Sequence, residues 1–90
     1  MIHQLKCHPG PFEQTRIGAK THEFRMNDRD FRVGHILVLN LWDPETEEYS
    51  GHKLVRAVTC VGTGFGIPDG HVCLSIREIS AADDSAKEIT

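Results

Sequence analysis

The polar residues best suited to hold a ligand are concentrated in residues 18–25 of this 90-residue sequence. Glu23 and Arg25 are two positions apart, so on a strand they share a face, and Lys20 lies at the start of that strand. Arginine offers a rigid fork of donors, a carboxylate accepts exocyclic N–H groups, and lysine attracts phosphate. The set predicts a site for a planar polar ligand. The alternative is a solvated strand face with a weak ion pair.

A glycine-rich segment, residues 62–70, is the second candidate. A phosphate-binding loop is followed by a helix whose N-terminus meets the phosphate, whereas Pro68, Asp69 and a strand pattern follow here. The segment is therefore predicted to form a mobile rim to a cleft, with Phe65 as a lid that stacks on a base. Trp42 and Phe31 are instead expected to fill the core.

The histidines and cysteines form no metal-binding or nucleophilic pattern. His71 and Cys73 share one predicted strand face, and His3 and Cys7 share another, but zinc needs three or four converging ligands. Cys7 and His8 are neighbours on a strand and point to opposite faces. No metal or cofactor is predicted. Three cysteines without a CxxC motif are typical of a reducing compartment, and the cytoplasm is expected.

The distribution of charge limits the class of ligand. Residues 1–42 carry six Lys/Arg and four Asp/Glu, a net charge of +2, whereas residues 43–90 carry four and nine, a net −5, and the two sum to −3. A broad basic surface for duplex nucleic acid is therefore excluded, but a pocket for one nucleotide needs only two or three cations. The acidic run 43–48 repels phosphate, so RNA is expected to approach from residues 20–32. No apolar run approaches the ~20 residues of a membrane span, and the N-terminus does not resemble a signal peptide.

Short strands must position these groups. Alternation of apolar and polar residues predicts strands at 3–8, 20–26, 35–42, 54–61 and 71–77. Pro11 and Gly18 delimit a short helix at 11–17, and residues 43–51 are interpreted as a solvated connector. On the second strand, His22, Phe24 and Met26 are expected to face the core. The fold class is mainly β, a closed or half-closed barrel of about five strands with one N-terminal helix, because closure removes exposed edges. Residues 1–79 are predicted to form one domain and residues 80–90 a flexible tail.

Several ordered motifs carry a family resemblance. They are Leu5-Lys6-Cys7-x-Pro9-x-Pro11-Phe12, Gly18-x-Lys20-Thr21-x-Glu23-x-Arg25, Asn27-Asp28-Arg29-Asp30-Phe31-x-Val33-Gly34-x-Ile36-Leu37, Trp42-Asp43-Pro44, Tyr49-x-Gly51, Gly64-Phe65-Gly66 and Val72-x-Leu74-Ser75-Ile76. In this order, over residues 3–79, they resemble the ASCH branch of the PUA-like superfamily. Within that branch they are similar to a compact bacterial and phage family of uncharacterised proteins.

The resemblance implies a PUA-like β-barrel with the helix at one end and a cleft lined by the strand of residues 20–25. Members of the superfamily are expected to bind RNA or a modified nucleoside in that cleft. By this resemblance, the lysine and arginine meet phosphate or a carbonyl, the glutamate reads an exocyclic amine, and residues 27–29 shape the wall. The predicted ligand-binding residues are Lys20, Thr21, Glu23, Arg25, Asn27, Asp28, Arg29 and Phe65.

Two other functions remain open. A few ASCH proteins are amidohydrolases that deacylate N4-acetylcytidine with a lysine, a threonine and a distal glutamate. Lys20 matches that lysine and is the one candidate catalytic residue. Glu23 occupies the threonine position, Thr21 is adjacent to the lysine, and Asp69 is the sole acid where the glutamate is expected. The sequence therefore favours a binding module over an enzyme; a phage or bacterial protein-interaction adaptor is the third function, without a motif of its own.

Overall fold

The structure, a computed structural model, describes residues 1–79, and the predicted tail at 80–90 lies outside the described residues. It contains five strands and one short helix, which confirms the mainly β fold class. The elements are β1 (Ile2–Cys7), α1 (Pro9–Arg16), β2 (His22–Met26), β3 (Ile36–Asp43), β4 (Glu48–Gly62) and β5 (His71–Glu78).

The five strands form one curled sheet in the order β1-β3-β4-β5-β2. β1 runs parallel to β3, and every other neighbouring pair is antiparallel. The 15-residue β4 pairs with both β3 and β5, and the register shifts between Asn40 and Trp42 and again between Val58 and Cys60. Such irregularities bend and twist a strand. The result is a half-barrel whose edge strands are β1 and β2.

Two arginine side chains connect these edge strands. Arg25 Nη2 donates a hydrogen bond of 2.8 Å to the main-chain oxygen of Lys6, and Arg29 Nη1 donates one of 3.0 Å to that of Gln4. The acceptors are carbonyl groups of β1 that a neighbouring strand would otherwise use. Side chains thus cover part of a sheet edge that would otherwise be open. We call this gap between β1 and β2 the seam.

The helix follows β1 directly and starts earlier than predicted. It begins at Pro9, with His8 at the N-cap, and the first intrahelical bond runs from Phe12 N to His8 O at 2.9 Å. Proline suits the first turn because its missing N–H would lack an intrahelical partner there. Gly18, with φ of +84°, ends the helix as predicted. Phe12 and Thr15 are its buried residues, and the helix packs against β3.

The core lies on the concave side of the half-barrel and comes mainly from the strands. Its buried members are Leu5, Cys7, Phe12, Phe31, Leu37, Leu39, Val58, Val72, Leu74 and Ile76. Phe31, in the loop after β2, is buried in the core as predicted, whereas Val33 in the same loop is exposed. Trp42, which was also expected to fill the core, is only half-buried.

The predicted acidic connector is shorter than expected. Only residues 44–47 form the turn, and β4 already begins at Glu48. Trp42 pairs with Tyr49, so β3 and β4 extend beyond the core as a two-stranded ribbon. Most side chains of this ribbon are exposed, and Asp43 pairs with Glu48 next to the turn.

Candidate ligand-binding site

The face of β2 that turns inward is the polar one. Glu23 is 4% exposed, whereas Phe24 is 51% exposed and Met26 is 59% exposed. The expectation that His22, Phe24 and Met26 face the core is therefore wrong. Register explains the reversal: Glu23 is paired with Leu74, and paired residues project from the same side of a sheet. Leu74 is a fully buried core residue, so its partner must point inward too.

Lys20, Glu23 and Arg25 converge on one cavity at the seam. Lys20 Nζ lies 3.4 Å from Glu23 Oε1, and Arg25 Nε lies 3.5 Å from Glu23 Oε2. The cavity has a volume of about 400 Å³ and opens to solvent. Its other lining residues are Lys6, Cys7, His8, Pro11 and Phe24. We call it the seam cavity.

The two cations are held in place mainly by the main chain. Lys20 Nζ donates a 2.8 Å hydrogen bond to the oxygen of His22, and Arg25 donates to Lys6. Glu23 Oε1 is buried and accepts no hydrogen bond from residues 1–79. Buried polar atoms are usually satisfied, and one that is not marks a place where a further donor would be stabilising. The seam cavity therefore presents a carboxylate with unused acceptor capacity between two cations.

Cys7 contributes a buried thiol to the wall of the seam cavity. Burial raises the pKa of its thiol, and the negative charge of Glu23 raises it further, while Lys20 and Arg25 act in the opposite direction. A thiol with a raised pKa stays protonated at neutral pH, and the thiolate is the reactive form. Cys7 is therefore an apolar wall residue.

The remaining predicted residues lie outside the seam cavity. Thr21 lines an adjacent cavity, described below. Asn27 Oδ1 accepts a 3.1 Å hydrogen bond from Phe31 N and shapes the loop after β2, while Arg29 bridges to β1 and lies 3.9 Å from Asp28. Phe65 is fully exposed on the loop before β5 and does not line the seam cavity.

Sequence reasoning missed the β1 side of the site. Lys6 and His8 line the seam cavity, and both contact Trp42: Lys6 Nζ lies 3.9 Å from the ring centroid, and the His8 and Trp42 rings are 5.4 Å apart. The alternation along β1 places Lys6 on the exposed face, which was readable. The position of Lys6 beside β2 could not be predicted from local sequence, because it follows from the parallel pairing of β1 with β3.

No group of three or more His, Cys, Asp or Glu side chains within the described chain is arranged to hold a metal ion. Nor does any helix among residues 1–79 have the length and apolar character needed to cross a membrane.

Comparison with known proteins places this architecture in a family. Residues 2–76 match the family described as "Domain of unknown function (DUF3850)". The chain is also similar to the "Uncharacterized 12.9 kDa protein in GpA 3'region" of Escherichia phage P2, with 33% identity over 60 residues. That alignment covers 67% of this chain and 53% of the phage protein, so it spans about half the length of this relative.

Proposed function

The chain belongs to the family described as Domain of unknown function (DUF3850), and we propose that it is an RNA- or nucleotide-binding module whose seam cavity holds a base. The base is one with an exocyclic amine, such as cytosine. The finer assignment to the ASCH branch of the PUA-like superfamily, with its barrel and cleft, is part of the same proposal. So is a cytoplasmic location, with which the three free cysteines are compatible.

The observation that carries the proposal is the environment of Glu23. The Glu23 carboxylate, on a residue that is 4% exposed, lies against a cavity between two cations. Its Oε1 atom is 3.4 Å from Lys20 Nζ and accepts no hydrogen bond from residues 1–79. Burying a charge is costly unless its hydrogen-bonding needs are met. A base amine supplies a neutral N–H donor to this carboxylate, and Lys20 and Arg25 offer donors to the carbonyl oxygen of the same base.

The wall of the seam cavity suits a planar ring. Pro11 contributes apolar surface, and His8 is an aromatic side chain in the lining. Stacking on aromatic side chains contributes roughly 1–3 kcal/mol per base and tolerates different bases. Discrimination between bases then rests on Glu23, because a carboxylate attracts the N4 amine of cytosine and repels the O4 carbonyl of uracil.

Titration of the ¹⁵N-labelled full chain with cytidine, uridine and short single-stranded cytosine-rich or uracil-rich RNAs tests the proposal. We expect shifts at residues 20–25 with cytosine ligands and affinities at least tenfold lower with uracil ligands. Glu23→Gln removes the carboxylate but keeps its shape, and should abolish that preference. Glu45→Gln is the matched control, because it makes the same change at an exposed acid of the turn between β3 and β4, outside the seam cavity. Unchanged spectra around residues 20–25 with all ligands would contradict the proposal.

A parallel measurement separates binding from catalysis. Lys20, the one residue matching the amidohydrolase pattern, lies in the seam cavity, so the same protein is incubated with N4-acetylcytidine and assayed for cytidine. We expect no release above background, and the same result with Lys20→Ala. Release that depends on Lys20 would replace the binding module by a deacylase.

A further inference from the structure

A second cavity adjoins the first and shares Lys20 with it. It has a volume of about 340 Å³, is more enclosed than the seam cavity, and lies between the C-terminal end of α1 and strands β4 and β5. Its polar lining includes Thr15, Thr21, Arg56 and Glu78. We call it the Arg56 cavity.

Arg56 is a buried cation to which residues 1–79 supply no carboxylate partner. Its residue is 8% exposed, and no carboxylate oxygen within the described part of the chain lies within 4.0 Å of its guanidinium. It donates to two main-chain oxygens, of Val55 at 2.9 Å and of Thr15 at 3.4 Å. A guanidinium carries five N–H donors, and the second of these bonds is long. Burying a charge in this way is costly unless an anion compensates it.

Glu78 lies opposite Arg56 in the sheet, but its carboxylate does not form an ion pair with the Arg56 guanidinium. Glu78 and Arg56 are register partners on β5 and β4, and Glu78 also lines the cavity. Its side chain is nevertheless exposed and forms no ion pair with Arg56 within 4.0 Å. Within residues 1–79, therefore, no carboxylate neutralises this buried cation, and the cavity beside it can take an anion.

A second observation points to a polar occupant. Thr15 is 1% exposed, and its hydroxyl has no hydrogen-bond partner among residues 1–79. Thr15 lines the same cavity, together with the basic residue Lys20. Oxyanions attract hydroxyl, ammonium and guanidinium donors together, and arginine matches the geometry of phosphate oxygens with two parallel bonds.

We infer that the Arg56 cavity binds the phosphoryl group of the ligand whose base occupies the seam cavity. This rests on the proposed function and adds a substrate class to it: a nucleotide or an RNA phosphodiester, not an uncharged nucleoside. Lys20 lines both cavities and connects the two parts of the site. Phosphate binding there supplies further acceptors to Arg56, whose hydrogen bonds within residues 1–79 go to two carbonyl oxygens.

The experiment compares ligands with and without a phosphoryl group on the ¹⁵N-labelled full chain. Inorganic phosphate, cytidine, cytidine monophosphate and a short cytosine-rich RNA are titrated separately. We expect phosphate alone to shift the Arg56 Nε–Hε signal and amides near Thr15 and Thr21. We expect cytidine monophosphate to bind at least tenfold more tightly than cytidine, and comparison of the monophosphate with RNA distinguishes a free nucleotide from a nucleic acid.

Variants test whether the gain in affinity from the phosphoryl group depends on Arg56. Arg56→Gln should reduce the affinity for cytidine monophosphate at least tenfold and leave that for cytidine within twofold. Arg32→Gln is the matched control, an exposed arginine remote from both cavities, and should change neither. Glu78→Gln removes the competing carboxylate and should strengthen phosphate binding. If Arg56→Gln does not fold, Arg56→Lys and Glu78→Gln carry the test.

The possible results separate the two proposals. Cytidine binding at residues 20–25 with no gain from the phosphoryl group would overturn the inference and leave the proposed function standing. Phosphate shifts at Arg56 with no nucleoside effect at Glu23 would overturn the proposed function and leave an oxyanion site. A phosphate effect that persists in Arg56→Gln, or a weaker one in Glu78→Gln, would overturn the assignment to this cavity.

Discussion

Arg25 joins the two edge strands of the half-barrel by donating a 2.8 Å hydrogen bond to the main-chain oxygen of Lys6, nineteen residues away. The same guanidinium lies 3.5 Å from the buried carboxylate of Glu23. One side chain thus spans the seam and holds the carboxylate of the candidate site.

Replacement of Arg25 should therefore weaken the fold as well as the site. Arg25→Ala removes a charge-assisted hydrogen bond and leaves Glu23 with Lys20 as its one close cation, and we expect a loss of about 1–3 kcal/mol in the free energy of unfolding. Urea denaturation measures this loss. Arg32→Ala, which removes an exposed arginine, should change stability by less than about 0.5 kcal/mol. Equal losses of unfolding free energy in the two variants would show that the hydrogen bond from Arg25 to Lys6 does not stabilise the fold.

The inverted face of β2 predicts an unusual contrast between two apolar residues. Leu74→Ala should cost about 2–5 kcal/mol, because this side chain is fully buried. Phe24→Thr should change stability by less than about 1 kcal/mol, since the ring lies on the outer face and stacks on His71 with a centroid distance of 5.6 Å. Thermal and urea unfolding of both variants check the prediction. A large loss for Phe24→Thr would mean that β2 pairs in another register.

Stability should fall as the pH is lowered through the range of histidine titration. Arg32 N–H donates to His35 Nδ1 at 3.3 Å, so that nitrogen is an acceptor, and His3 Nε2 donates to it at 2.9 Å. Burial, and then the positive potential of His35, Arg29 and the N-terminus, lowers the pKa of His3 below its usual 6.5. Below pH 6.5 the unfolded chain therefore binds a proton that the folded chain resists, and stability is lost as the pH falls towards the pKa of the folded state.

Measurement of the melting temperature between pH 7.5 and 5 tests this expectation. In His3→Gln the decline should be shallower, whereas His52→Gln, which replaces an exposed histidine, should retain the slope of the parent protein. NMR titration of the His3 ring should give a pKa below 6.5. A pKa of His3 at or above 6.5 would contradict the prediction.

The cysteines should differ sharply in reactivity. Cys60 is exposed, while Cys7 is buried and has a raised thiol pKa. A thiol reagent at pH 7.5 should modify Cys60 rapidly and Cys7 only when the chain unfolds, because both access and thiolate formation are required. Mass spectrometry of timed samples, with Cys60→Ser as the comparison, measures the rates. Fast modification of Cys7 in the folded protein would show that the seam cavity exposes it.

Local patterns were sufficient to predict the elements but not how they face one another. Alternation identified the strands, and Gly18 located the end of the helix, because these depend on neighbouring residues. The inward face of β2 depends on its register with Leu74, which lies about fifty positions further along the chain. Its apolar residues suggested the opposite orientation.

The residues of the candidate site also fall into two groups, those that the local sequence identified and those that strand pairing brings in. Lys20, Glu23 and Arg25 were identified because they lie on one segment. Lys6 and His8 reach the same cavity through the pairing of β1 with β3, and Arg56 reaches its cavity through the bend of β4. In sequence, Arg56 is one polar residue in a β-branched strand, and no local pattern indicates that it is buried. Phe65 was predicted from its glycine-rich context, yet its loop leaves it away from the seam cavity.

The contacts that join the two edges of the half-barrel differ in kind from those within the sheet. In the described residues, β1 and β2 are not neighbours in the hydrogen-bonded sheet, and the arginine bridges at Gln4 and Lys6 are side-chain contacts. Separating the two edges requires rotation about side-chain bonds and breaks no strand ladder. Loss of the two arginine hydrogen bonds would therefore leave the pairing of the five strands intact.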